Sequence, residues 1–181
     1  MIIQIRGTSG SGKTWVMRRV MKVFEGDWSP VYVDGRKKPL LYRAWVSPWK
    51  SLVVLGHYES PCGGCDTIGS ARQVFELVEE LAEDDVILCE GLLLSEDTKW
   101  ASQFDLRVVY LHTPIEQCIS QIKQRRLEAG NTKPLNEANT RNRVKRIERS
   151  RVKLETLGVL CKRVSARQAP SLILKWLQLH A

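Results

Sequence analysis

Residues 7–14, with the sequence GTSGSGKT, have the types and spacing needed to hold a polyphosphate. They match the pattern G-x-x-x-x-G-K-[ST], and they lie between a short apolar run typical of a strand and a helical pattern. Glycines let successive backbone N–H groups turn toward one phosphate, and the N-terminus of the helix adds positive charge. Lys13 is expected to reach the β- and γ-phosphate oxygens, and Thr14 to offer a hydroxyl to Mg²⁺. The predicted phosphate-contacting residues are Gly7, Thr8, Ser9, Gly10, Ser11, Gly12, Lys13 and Thr14.

An acidic residue ends a second apolar run, DVILCEG, where Glu90 precedes Gly91. The carboxyl ends of parallel strands meet at one edge of a sheet, which is the edge where the phosphates would lie. Glu90 is therefore expected to support Mg²⁺ or to orient the group that accepts the phosphate. The alternative is a solvated glutamate at the end of a strand.

Asp34 is one candidate for the base that takes a proton from an acceptor hydroxyl. It follows the strand-like run VYV, and the cations Arg36 and Lys37 after it would suit an anionic substrate. A carboxylate within hydrogen-bond reach takes the proton as the phosphoryl group arrives. The alternative is a turn residue, because Asp-Gly is a common turn dipeptide.

The loop of residues 56–70, GHYESPCGGCDTIGS, supplies the second candidate base, Asp66. Loops this rich in glycine, proline and cysteine often carry function, although Asp66 or Thr67 would also suit the cap of the helix that follows. Cys62 and Cys65 form a C-x-x-C pair, but a structural zinc site needs four ligands and no second pair is present in the sequence. We therefore expect no structural zinc.

The composition indicates a globular protein with a large anionic partner. The 181 residues suit one domain spanning 1–181, and the net charge is +8. Residues 131–167 hold eleven basic and three acidic side chains, so that segment carries the whole excess. No stretch approaches the roughly 18 to 20 apolar residues of a membrane span. The sequence starts without the features of an export signal, so we expect a cytoplasmic protein without a membrane partner.

Apolar runs alternate with helical patterns along the chain, which predicts an α/β fold with helices on both faces of a parallel sheet. The runs start at Ile2, Val31, Asp85, Leu106 and Val159. The helical patterns span residues 15–24, 74–81, 115–122, 136–157 and 169–179. Two further runs joined by SPWK predict an inserted β-hairpin at about residues 41–58. Residues 123–157 are expected to form a basic helical lid.

With these motifs in place, the chain resembles the nucleoside and nucleotide kinase branch of P-loop NTPases. The segment VVYLHTPIEQCISQIKQRR extends the resemblance over most of the chain. It implies a three-layer α/β/α fold with a five-stranded parallel sheet in the order 2-3-1-4-5. It also implies that ATP is the phosphate donor, that Arg125 and Arg126 stabilise the developing charge, and that residues 165–169, including Arg167, border the adenine. An exposed basic helix end is the alternative for Arg125 and Arg126.

The aspartate-arginine acceptor motif of nucleoside monophosphate kinases is missing, and the loop SPCGGCDT is foreign to them. The loops GTSGSGKT, VYVDGRK, GHYESPCGGCDTI and CEGLLLSED together resemble bacteriophage kinases that phosphorylate 5-hydroxymethyluracil within DNA. This narrower resemblance implies a hydroxymethyl oxygen on a DNA base as acceptor.

A cationic stripe gives the DNA hypothesis independent support. Its members, Arg141, Lys145, Arg149 and Lys153, recur every four residues and would share one face of a helix. Such a stripe suits a phosphate backbone, and the alternative is a solvated lid helix. Two rival functions stay open: a small-molecule or mononucleotide kinase, and a DNA-binding ATPase that transfers nothing.

Overall fold

A computed structural model describes residues 1–47, 50–60, 62–83, 85–91 and 97–177. The strands in this part of the chain are β1 (Ile2–Arg6), β2 (Ser29–Val31), β3 (Leu41–Ser47), β4 (Lys50–Leu55), β5 (Val86–Glu90), β6 (Leu106–Leu111) and β7 (Leu160–Val164). The α-helices are α1 (Lys13–Val23), α2 (Ala71–Leu81), α3 (Asp97–Gln103), α4 (Ile115–Glu128), α5 (Glu137–Thr156) and α6 (Ala169–Trp176). A 3₁₀ turn, Gly64–Thr67, precedes α2.

The described strands form one sheet in the order β2-β3-β4-β5-β1-β6-β7. Strands β4, β5, β1, β6 and β7 run parallel, while β3 pairs antiparallel with both β2 and β4. The sheet therefore has seven strands, and the predicted count of five was wrong. The five parallel strands, taken alone, lie in the order β4-β5-β1-β6-β7. This matches the predicted order 2-3-1-4-5 if β1, β4, β5, β6 and β7 are numbered 1 to 5 along the chain.

The predicted hairpin is β3 and β4, but it is built into the sheet rather than inserted beside it. Strand β4 pairs directly with β5 through Leu52, Val53 and Val54. The run at Val31, predicted to be a buried core strand, is the exposed edge strand β2. Strand β7 is also an edge strand with mostly exposed side chains, because only β6 pairs with it in the described sheet.

Helices cover both faces of the sheet, which confirms the three-layer α/β/α architecture. On one face α2, α3 and α5 bury apolar side chains such as Phe75, Trp100 and Leu154. On the other face α1 and α6 bury side chains such as Met17 and Ile173. The second half of the predicted lid thus belongs to a layer helix. Helix α3 was not anticipated from the sequence, and none of the described helices has the length and apolar character of a membrane span.

Four sequence features fall partly outside the described residues. They are the SPWK turn at residues 48–49, the loop of residues 56–70 at position 61, the LLLSE part of the Glu90 segment at residues 92–96, and the predicted end of the last helix at residues 178–179.

Candidate active site

The glycine-rich loop lies where the sequence predicts it, between the end of β1 at Arg6 and the start of α1 at Lys13. Gly10 has φ +77° and Gly12 has φ +95°, a backbone region that favours glycine. A side chain on Gly10 would also collide with the carbonyl oxygen of Cys118. The loop therefore needs these glycines to keep its shape.

Lys13 is folded onto the loop that it follows. Its Nζ donates to the carbonyl oxygen of Gly7 at 3.0 Å and to that of Thr8 at 3.2 Å. Burial lowers the pKa of Lys13, and the nearby carboxylates of Glu90 and Asp66 oppose that shift. The ammonium group thus lies between the loop and two acidic side chains.

Glu90 ends β5 beside the loop, because β5 pairs in parallel with β1 and Ile5 lies opposite Glu90. Its side chain is 2% exposed. Burial raises its pKa to about 7, against the lowering effects of Lys13 and of a side-chain hydrogen bond with Thr14. Atom Oε1 has no hydrogen-bond partner among the described residues.

This arrangement suits a magnesium ion. A hydroxyl oxygen from Thr14 and a carboxylate oxygen from Glu90 are hard ligands of the kind that Mg²⁺ prefers. The buried Oε1 atom without a partner offers coordination capacity that the protein itself does not use. The residues that the sequence predicts as metal ligands therefore fit the ion.

Asp66 is brought to the same place by the 3₁₀ turn Gly64–Thr67. A side chain on Gly64, which has φ +80°, would collide with Glu90, so glycine lets the turn approach β5 closely. Asp66 itself is exposed at the surface of the site. It does not cap the next helix, because Ser70 caps α2 in a capping box with Gln73.

Asp34 lies elsewhere, in an exposed turn after the edge strand β2. Strand β2 is three strands away from β5, which corresponds to roughly 14 Å at about 4.8 Å per strand. Its neighbour Arg36 donates to the carbonyl oxygen of Thr67 at 3.0 Å and so links this turn to the Asp66 segment. Lys37 is exposed.

The two adjacent arginines of α4 differ in their surroundings. Arg125 borders the cavity at the glycine-rich loop, and its positive charge contributes to lowering the pKa of Lys13. Arg126 donates to Asn131 Oδ1 at 3.2 Å and to the carbonyl oxygen of Lys133 at 2.8 Å. The structure thus brings Arg125 to the site and uses Arg126 to hold the chain after α4.

Together these elements enclose a cavity of about 250 Å³. The predicted site residues on its wall are Ser9, Gly10, Gly12, Lys13, Thr14, Asp66, Glu90 and Arg125. The cavity thus contains both an anion-binding loop and acidic groups able to hold a metal or to accept a proton.

Sequence reasoning missed three polar residues at or near this cavity. Arg18 and Gln121 line it, and Arg143 on α5 reaches the loop by donating to Ser9 Oγ at 3.3 Å. Arg18 could have been found from its spacing, because it lies four residues after Thr14 on the same helix. Gln121 and Arg143 have no such local signal, since separate elements deliver them.

The loop after β7 packs against the glycine-rich loop, as an adenine-bordering loop would. A side chain on Gly12 would approach Ala166 Cβ to 3.2 Å. Ser165 and Gln168 close the turn with mutual hydrogen bonds, and Arg167 is exposed between them.

Helix α5 has a buried face and, opposite it, a face that carries the predicted cationic stripe. Thr140, Ile147 and Leu154 are buried, and at 100° per residue the predicted cationic stripe lies on the opposite face. Arg141 of that stripe is bound to Glu116 at 2.8 Å. The other members, which lack an ion-pair partner among the described residues, are Lys145, Arg149 and Lys153.

The C-x-x-C cysteines are not side by side in one environment. Cys62 is exposed, whereas Cys65 is buried and shares a side-chain hydrogen bond with Cys89 of β5. In the described ranges, no group of three or more histidine, cysteine or acidic side chains is arranged to hold a metal ion by itself.

Comparison with known proteins identifies relatives of this chain in sequence and in fold. The chain is 43% identical over 165 residues to the 5-hmdU DNA kinase of Pseudomonas phage PaMx11, and the match covers 87% of each protein. It is 24% identical over 165 residues to the 5-hmdU DNA kinase of Delftia phage PhiW-14, a match that covers 76% of this chain and 58% of that protein. No protein-family model matches the chain.

Among solved structures, deoxyadenosine kinase from M. mycoides with bound dATP superposes with a TM-score of 0.54 at 16% identity. The superposition covers 98% of this chain and 100% of the other, so the two share the P-loop fold. The predicted fold class and the predicted resemblance are both confirmed. Because the identity to the Pseudomonas phage protein extends over most of both chains, the chain belongs to the family of phage 5-hmdU DNA kinases and is a phosphotransferase.

Proposed function

We propose that this kinase transfers the γ-phosphoryl group of ATP to the hydroxyl of 5-hydroxymethyluracil carried in DNA. The observation that supports this most strongly is the shared cavity, where Lys13, Thr14, Glu90, Asp66 and Arg125 meet at the glycine-rich loop. Membership of the phage kinase family supports the choice of acceptor.

The donor side is built from the loop and the start of α1. Backbone N–H groups of the loop and the positive end of the helix bind the phosphates, and Lys13 adds a charge at the β- and γ-phosphates. Thr14 and Glu90 would hold Mg²⁺, which would neutralise charge on the phosphate oxygens. Arg167 and its loop border the adenine, next to Gly12.

On the acceptor side, Asp66 acts as the base. The hydroxymethyl oxygen attacks the γ-phosphorus, its proton passes to the Asp66 carboxylate, and the bond to the bridging oxygen of the leaving ADP breaks. Arg125 stabilises the charge that develops during this transfer. Asp34 is the weaker candidate for the base because it lies in the β2 turn, away from the cavity.

The DNA backbone is bound by exposed cations. Lys145, Arg149 and Lys153 present the free part of the α5 stripe, and Arg141 contributes less because Glu116 already neutralises it. Arg36, which contacts the Asp66 segment at Thr67, adds charge near the acceptor side, and the exposed Lys37 follows it in the chain. We infer that the enzyme acts in the cytoplasm of a host cell, where ATP and DNA are present together.

Incubation with labelled ATP and matched oligonucleotides tests the proposal. One oligonucleotide carries 5-hydroxymethyluracil and the other carries thymine at the same position. We expect label only in the modified strand, and no comparable labelling of the free hydroxymethyl nucleoside. Label in neither strand, or equal labelling of the free nucleoside in the presence and absence of DNA, would contradict it.

A further inference from the structure

Helix α1 has an outer face that the proposed reaction does not use. Trp15, Arg18, Arg19 and Lys22 have the spacing i, i+3, i+4 and i+7, so they share one side of the helix. All four are exposed, whereas the opposite side of α1 is buried in the core. None of the four forms an ion pair with an acidic side chain in the part of the chain that the structure describes.

Trp15 is the unusual member of this face. Its indole is 43% exposed, and it borders the same cavity as Lys13 and Asp66. The Arg19 guanidinium lies 5.1 Å from the centre of the ring, a cation–π contact that holds the indole in place. A large flat apolar surface is thus kept in water at the entrance of the site.

The cations on this face differ in whether they are already hydrogen-bonded to the protein. Arg18 donates to the carbonyl oxygens of Tyr58 at 3.1 Å and of Ser60 at 2.6 Å, so the loop before Asp66 fixes it. Among the described residues, Arg19 and Lys22 have no hydrogen bond of this kind and no ion pair, so both remain available to an anion. An exposed aromatic ring beside free cations is the combination with which proteins bind single-stranded nucleic acid.

We propose that the outer face of α1 is a second DNA-contacting surface, where Trp15 stacks on an unpaired base at the cavity and Arg19 and Lys22 bind the adjoining phosphates. The base is unpaired because, inside a duplex, neighbouring base pairs cover both of its faces and leave no room for an indole. The inference rests on the proposed function for the statement that the acceptor belongs to DNA. The α5 stripe would then bind backbone at a separate place.

Binding of a fluorescent oligonucleotide containing 5-hydroxymethyluracil tests this surface without requiring turnover. Trp15→Ala should weaken binding about tenfold, within the range measured for base–aromatic stacking. Trp15→Phe should retain most of the affinity because it keeps an aromatic face. Trp45→Ala is the matched control, since Trp45 is 64% exposed on β3 and does not border the cavity. The KM for ATP, measured in parallel, should change less than the affinity for the oligonucleotide in Trp15→Ala.

An oligonucleotide with 2-aminopurine next to the modified base adds a direct signal of unstacking. Its fluorescence should rise on binding to the wild type and rise less with Trp15→Ala. Equal affinity of Trp15→Ala and Trp45→Ala, or an increased KM for ATP with unchanged DNA affinity, would overturn the inference. Failure of the wild type to phosphorylate the oligonucleotide would instead refute the proposed function, while the binding comparison would still decide the role of Trp15.

Discussion

At the scale of single residues, Lys13 and Glu90 each occupy an environment that disfavours their charge. Burial lowers the pKa of the lysine and raises that of the glutamate to about 7. Each partly offsets the effect on the other, but Glu90 Oε1 still lacks a hydrogen-bond partner among the described residues. A metal ion and a chain of phosphates would compensate both charges, so the site is arranged for its ligands rather than for stability.

Replacing Glu90 by glutamine should therefore stabilise the ligand-free protein while abolishing activity. Folding raises the Glu90 pKa from 4.5 to about 7, so wild-type stability falls as the pH rises through this window. Glutamine does not ionise, and its advantage at pH 8 should approach about 3 kcal/mol, at 1.36 kcal/mol per pKa unit. Urea unfolding without Mg²⁺ at pH 5 and pH 8 measures the difference.

The advantage of Glu90→Gln should shrink strongly at pH 5, where the wild-type carboxyl is mostly protonated. Glu25→Gln, a change at an exposed glutamate, serves as the control for the loss of an acidic side chain elsewhere. An advantage of equal size at both pH values would contradict the raised pKa of Glu90.

Substitution of Asp66 tests the choice of base. Asp66→Asn keeps the shape of the side chain but cannot take the proton, so kcat should fall by about 10² to 10⁴, the usual contribution of a positioned base. Steady-state phosphorylation of the modified oligonucleotide measures this loss. The control is Asp27→Asn, the same change at an exposed position after α1, which should leave kcat unchanged. A comparable loss in Asp34→Asn with a mild effect in Asp66→Asn would assign the base to Asp34.

The residues of this site differ in how readily they can be predicted from the sequence. Lys13 and Thr14 are fixed by a local motif, and Glu90 by its place at the end of an apolar run, so a linear pattern suffices to find them. Arg125 and Arg126 look equivalent in the sequence, yet only Arg125 borders the cavity. That difference depends on how the chain after α4 folds back onto Arg126, which no local pattern encodes.

Among the elements of the fold, α5 has two faces of different character, one buried and one exposed and cationic. Ile147 and Leu154 anchor the helix to the sheet core, while Lys145 and Arg149 are exposed. Because the anchoring residues recur every seven positions, the outer face can carry like charges without loosening the inner contact. The repulsion within the stripe would be relieved by a bound polyanion.

Neutralising part of the stripe should weaken DNA binding and reduce its dependence on salt. The double variant Lys145→Gln and Arg149→Gln removes two phosphate contacts, so the slope of log affinity against log salt should flatten by about 1.8, at about 0.9 per contact. Oligonucleotide binding at several salt concentrations measures the slope. Lys162→Gln combined with Lys175→Gln removes two exposed cations from β7 and α6 that also lack an ion-pair partner among the described residues, and it should leave the slope unchanged. Equal slopes for both double variants would remove α5 from the interface.

The sequence predicted the individual strands better than their positions in the sheet. Apolar runs correctly marked β1, β5 and β6, which have pairing partners on both sides. The runs at β2 and β7 look similar in the sequence, but both are edge strands with exposed side chains. A hydrophobic run predicts that a segment forms a strand. It does not predict which other strands pair with it, because that pairing joins segments far apart in the sequence. For the same reason the sequence predicts the hairpin but does not predict that its second strand pairs with β5.

At the scale of the whole molecule, the strand order explains why the site forms where it does. Strand β1 lies between β5 and β6, and the chain passes to opposite sides of it when it builds the two halves of the sheet. Such a switch point opens a crevice at the carboxyl ends of the strands. The glycine-rich loop from β1, Glu90 from β5 and the helix after β6 all border that crevice, and this convergence follows from topology alone.

Because the cavity is formed by several separate segments, nucleotide binding should stabilise the entire fold. At a concentration of ATP and Mg²⁺ one hundred times Kd, the gain is about 2.7 kcal/mol, which for a protein of this size corresponds to a rise in Tm of about 5 to 11 °C. Differential scanning fluorimetry measures the shift. Removing Mg²⁺ with EDTA should reduce it if Thr14 and Glu90 hold the ion as proposed, because the charge of the phosphates is then not neutralised.

Lys13→Ala connects this thermal shift to the proposed chemistry. The variant loses the charge at the β- and γ-phosphates, so its Tm should rise much less with ATP and Mg²⁺, and its phosphorylation of DNA should be abolished. Its Tm without ligand should stay within a few degrees of the wild type, because relief of the buried Lys13 charge offsets the loss of its two hydrogen bonds and of its charge beside Glu90. Lys175→Ala, at an exposed position on α6, should keep the full shift. A full shift in Lys13→Ala would mean that ATP binds elsewhere on the protein, and the mechanism built on the glycine-rich loop would be wrong.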